Sequence, residues 1–146
     1  MPLRDALKVA PPETLRAMIY RDPWMFMAAF SLYAALSAVT MLASRDLMDA
    51  SPLYVLLRDT WLEESQVGSV MMADAVALLW TLFDKRLAVR LPIAFVSGAV
   101  WFVWGGVMLI SGLAAHLVSG VAIWNICGGL GCYLAVIQWI NREELE

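Results

Sequence analysis

Asp74 is the residue whose type and place could do chemistry. It is a carboxylate inside an otherwise apolar run, Val67 to Phe83. An ionised acid facing hydrocarbon costs a few kcal/mol, so Asp74 is expected to face other helices and find polar partners there. Depth selects candidates. At 1.5 Å of rise per residue, counting inward from the expected outer boundaries puts Asp74, Ser37, Trp104 and Asn125 at roughly 10–13 Å. Four helices would then each offer one donor or acceptor at one level. Such an intramembrane cluster can line a path for protons, ions or water, or it can clamp four helices together. Relays usually use several acids, and this chain has one inside its spans, so the clamp is the favoured reading.

The other reactive side chains do not assemble into a site. His116 has no Cys or His at a ligand interval, so no metal is expected. Cys127 and Cys132 share one apolar run but point about 140° apart on a helix, too divergent to pair. Glu63-Glu64 reads as a solvated loop pair. No nucleophile–base pair and no paired catalytic carboxylates are visible. The expectation is a non-enzymatic protein with no catalytic residue and no cofactor.

The elements that position Asp74 are membrane spans. Of 146 residues, 62% are hydrophobic and 16% charged, and the apolar residues come in long runs. That pattern marks an all-α polytopic membrane protein, a bundle of four transmembrane helices with short interfacial helices. The spans are expected near 24–44, 67–84, 91–111 and 116–140, with Pro92 at the start of the third. Residues 1–22 form an amphipathic surface segment, helical after Pro11-Pro12-Glu13. They do not have the pattern of a secretory signal, so Met1 onward is expected in the mature protein. The membrane domain covers 23–140, and 141–146 is a short tail. Between spans one and two, Ser51-Pro52 starts an expected interfacial helix, 51–64, with Leu53, Leu56, Leu57 and Trp61 on one face and Tyr54 and Trp61 as anchors.

Charge sets the expected orientation. Arg4, Lys8, Arg16, Arg21, Lys85, Arg86, Arg90 and Arg142 fall on one side, and Arg45 and Arg58 on the other. The richer side belongs in the cytoplasm, so both termini are expected inside, in a bacterial inner membrane. Trp24, Trp80 and Trp139 lie at the inner boundary. A net charge of −3 and the lack of a basic tail argue against a nucleic-acid partner.

Lipid gives helices no hydrophobic reason to associate, so small residues must let them approach. Gly98, Gly105 and Gly112 stand seven apart in span three. Span four carries Gly128 and Gly131 in small-xxx-small pairs with Cys132 and Cys127. These read as a close antiparallel pair, with faces that could also meet a second copy. Trp101 and Trp104 lie mid-span and should face helices, because lipid cannot satisfy an indole N–H.

The order of an apolar span, an outer segment from Ser51-Pro52-Leu53-Tyr54 through Glu64 and Gly68, a second span, a short basic turn and two more spans resembles the small four-span membrane proteins of tailed bacteriophages. The resemblance covers about residues 24–140. It implies a holin-like, self-associating permeabiliser and carries over no functional residues. A second expectation is a binding or regulatory membrane protein, a superinfection-exclusion factor or accessory subunit, that meets a membrane or phage protein partner. A third is a small transporter that uses Asp74. The lipid bilayer is a partner in all three.

Overall fold

The structure is a computed structural model, and it describes residues 23–143 apart from 45, 55, 58–61 and 118; of 142 and 143 it describes the helix backbone alone. The expectations for residues 1–22, Trp61 and the tail from 144 lie outside these. Five helices follow in order: α1 (Trp24–Ala43), the short α2 (Leu47–Ala50), α3 (Glu64–Phe83), α4 (Leu87–Ala114) and α5 (Gly120–Glu143). A 3₁₀ turn, Pro52–Tyr54, lies between α2 and α3. Four of the helices are long and apolar enough to cross a membrane. This is the architecture of an integral, multi-pass membrane protein.

Each span buries one narrow stripe at helical spacing. In α1 it is Met27, Phe30, Ser31, Ala34, Ala38 and Met41; in α3 it is Val67, Gly68, Met71, Ala75, Leu78 and Thr81. The opposite faces expose Leu32, Leu36, Val76, Phe95, Val103 and Leu130. Large apolar side chains thus point outward while Ala, Gly and Ser fill much of the interior. That inverts a soluble bundle and suits a protein whose solvent is lipid.

The spans run up and down and close into a ring. α1 packs along α3, and α4 along α5. Ser31 Oγ donates to the Ala75 carbonyl at 2.8 Å and ties α1 to α3. Arg90 of α4 reaches back to the end of α3: its Nε–H donates to the carbonyls of Thr81 at 2.8 Å and Asp84 at 2.9 Å. Its guanidinium lies 5.1 Å from the ring centre of Trp139 on α5. Trp139 is therefore buried at the end of the bundle rather than spread in an aromatic belt, and its indole N–H has no partner among the described residues.

Three boundaries differ from expectation. α3 starts at Glu64, not Val67, because Glu63 and Gln66 form a capping box one turn upstream. α4 starts at Leu87, directly after the turn 84–86, so Pro92 is interior rather than at the first turn. Pro92 lies near a helix end, where water can satisfy the carbonyl that its missing N–H leaves free. α5 starts at Gly120, not His116; His116 adopts φ 57° in the turn that ends α4. There Leu117 N–H donates to the Gly112 carbonyl at 2.7 Å. A Cβ on Gly112 would lie 2.7 Å from the Leu117 oxygen, so the returning chain needs a glycine at that point.

The expected single helix over 51–64 is corrected. Ser51 is extended, 52–54 make one 3₁₀ turn, and Leu62 and Glu63 are non-helical. Its described residues from 51 to 57 pack onto the bundle instead of continuing as one rod on the surface. Met48 N–H donates to Glu64 Oε1 at 3.0 Å, and Leu56 N–H to Ser111 Oγ at 3.4 Å.

Candidate functional site: an intramembrane polar core

Asp74 points into the bundle, and its partners come from α4. Ser97 Oγ donates to Asp74 Oδ1, and Trp101 Nε1–H donates to Oδ2 at 2.6 Å. Ser97 and Trp101 are four residues apart, so they share one face of α4 and present two donors side by side. Both are buried, and Asp74 is half-buried. Both donors are neutral.

The other expected members form a second group. Asn125 Oδ1 accepts from the Tyr33 hydroxyl at 2.6 Å, and Asn125 Nδ2 donates to Met108 Sδ at 3.2 Å. Ser37 follows Tyr33 by one turn of α1 and is half-buried. Trp104 is half-buried and lies against Tyr54, with ring centres 5.9 Å apart. The single four-residue cluster of Asp74, Asn125, Ser37 and Trp104 is thus replaced by two groups. The Asp74 group joins α3 to α4. The Asn125 group joins α1, α4 and α5. Aromatic rings stand between them: Trp101 lies 5.3 Å from Phe30 and 5.6 Å from Tyr33, centre to centre.

The helix ends do not account for the difference: α3 begins and α4 ends three residues beyond expectation, about 4.5 Å each, and these equal extensions leave Trp104 at the same count as Asp74. What differs is the face of α4 that packs inward, which carries Ser97 and Trp101 while Trp104 is only half-buried. Ser97-xxx-Trp101 was the available signal: a hydroxyl and an indole on one face, flanking the Gly98/Gly105 stripe. Tyr33 carried no such mark.

The glycines divide between two neighbours. A Cβ on Gly98 or Gly105 would crowd α5, at 3.1 Å from the Gly129 oxygen and 2.8 Å from Ile126. Gly128 and Gly131 do not serve the α4–α5 contact. They make room for rings from α1: added Cβ atoms would lie 2.0 Å from Phe30 and 2.1 Å from Phe26. All five glycines with expected packing roles are used within the chain. Cys127 is exposed and Cys132 buried, in keeping with their divergence on one helix.

Over the bundle end opposite the 84–86 turn, Tyr54 is buried rather than an interfacial anchor. Burial pushes its phenol up to about 12, with Tyr33 nearby as a lesser cause, so it stays protonated well above neutral pH. No group of three or more metal-capable side chains occurs among the described residues. No protein-family model, curated protein or solved structure matches this chain.

Proposed function

We propose that this is a non-enzymatic binding or regulatory protein of a bacterial inner membrane, of cellular or phage origin. It acts as a locked bundle that presents its outer segment to a partner. One observation carries this reading: Gly98, Gly105, Gly128 and Gly131 and the Asp74 and Asn125 side chains are each engaged by a neighbouring helix of the same chain. Polar groups committed to such a lock are poorly placed to line an aqueous pore. What remains for recognition is the segment pinned over the bundle end, where Asp46, Asp49 and Glu63 are exposed and Leu56 is 49% exposed.

Controlled expression in bacteria tests it. Expressing cells should grow with membranes that exclude a DNA-binding dye. They should also resist infection by at least one phage of a panel, and Leu56→Asp with Asp49→Lys should remove that resistance. Dye entry on expression would overturn the proposal in favour of a second reading, holin-like self-association. The observation that supports the second reading is Gly106, where an added Cβ meets nothing within 4 Å, so a second copy could come close.

A further inference from the structure

The bundle end where α3 turns into α4 presents a second kind of surface. Trp80 and Phe83 close α3 and are 57% and 75% exposed. Asp84, Lys85 and Arg86 follow at once, and the five residues line an open concavity of about 840 Å³. Two local contacts prepare it. The negative end of the α3 dipole would ordinarily attract the nearest cations. Here Arg90 takes the Thr81 and Asp84 carbonyls, backed by the Trp139 ring. The Asp84 carboxylate is turned onto its own loop, where Oδ1 accepts from Arg86 N–H at 3.0 Å. Lys85 and Arg86 are left exposed, and no ion pair engages either among the described residues.

An apolar edge with two cations just beyond it at the end of a membrane span, the intervening Asp84 carboxylate turned onto Arg86 N–H, has the same order as a phospholipid, acyl chain then phosphate. We propose that this concavity binds the headgroup of an anionic phospholipid. Lys85 and Arg86 meet the phosphate oxygens, and Trp80 and Phe83 cover the first carbons of the chain. A neutral zwitterionic lipid offers the same phosphate with a compensating amine, so net charge sets the preference. The fixed turn means that little side-chain or backbone order is lost on binding, beyond the two cations themselves.

Native mass spectrometry of the full chain in mild detergent tests this. Dioleoyl phosphatidylglycerol and dioleoyl phosphatidylcholine compete at equal concentration. The unaltered protein should favour the anionic lipid on the order of tenfold, as expected for two surface cations. Lys85→Gln with Arg86→Gln should bring the ratio near one, and Lys85→Arg with Arg86→Lys should keep it. If the double glutamine variant does not fold, each single glutamine variant should show a partial loss. Inorganic phosphate in large excess should leave the lipid bound. Equal binding of both lipids, an unchanged preference in the glutamine variants, or displacement by free phosphate would each overturn the proposal.

Discussion

Two donors on one carboxylate make Asp74 sensitive to substitution in a graded way. Asp74→Asn keeps an acceptor oxygen for Trp101 or Ser97 and loses the other, so most of the stability should remain. Asp74→Leu leaves both donors without their acceptor. Ser97 can turn its hydroxyl to the carbonyl one turn back, but the Trp101 indole has no such option. The loss should be about 1–2 kcal/mol, the scale of interhelical hydrogen bonds in membranes. Thermal unfolding in detergent, read against Ser97→Ala and Trp101→Phe, checks it. Asp74→Leu as stable as the parent chain would remove the clamp. At this scale the sequence was half legible. That Asp74 must face inward followed from the cost of charge in lipid, and it does. Which donors it meets did not follow, because Ser97 and Trp104 are as plausible by type as Ser97 and Trp101. What decides is the face of α4 that packs inward, which carries Ser97 and Trp101 and leaves Trp104 half-buried.

Glycines give the helices their distances, and one glycine on each of the paired helices α4 and α5 shows the contrast. A Cβ on Gly129 would lie 2.7 Å from the Gly98 oxygen and 2.8 Å from the Phe102 nitrogen, both backbone atoms. Backbone cannot swing aside, so Gly129→Ala must push α5 from α4. A cost of about 1–3 kcal/mol is expected, as for overpacking in a core. Gly106→Ala faces open space and should cost nothing or stabilise slightly. Comparing the two melting temperatures decides the matter, and equal effects would contradict the packing described for α4 and α5. The heptad spacing of Gly98, Gly105 and Gly112 was enough to read that pair. The role of Gly128 and Gly131 was hidden, because it depends on Phe26 and Phe30 more than 90 residues away. The outer segment was misread for a related reason. Its Leu and Tyr spacing suits a helix on a flat surface, while the actual surface has a recess against Trp104 and Gly112 that draws Tyr54 and Leu53 inward.

For the whole molecule, four spans put the start of α1, the 84–86 turn and the end of α5 at one end of the bundle. The outer segment and the turn after α4 occupy the other. The existence of the four spans was plain from apolar run lengths alone, since few other structures satisfy twenty apolar residues in a row. From the bias of Lys and Arg we propose that the 84–86 end faces the cytoplasm. Reporter fusions at residue 50 and at the C-terminus should therefore report opposite sides, with the C-terminal one inside. Signals from the same side would break the four-span path. A reversed pair would keep the path and invert the orientation.

The bond from Asp74 runs forward along the chain, and that gives the molecule a history. α1 and α3 leave the ribosome before Ser97 and Trp101 do. For that interval the acid is in or beside lipid with neither donor. The hairpin of α1 and α3 is an unfinished object, held by Ser31 and its small-residue seam but carrying an exposed charge. A released fragment ending at Phe83 should therefore be cleared by membrane proteases faster than the same fragment with Asp74→Leu. The substitution that weakens the finished bundle would then prolong the life of its first half.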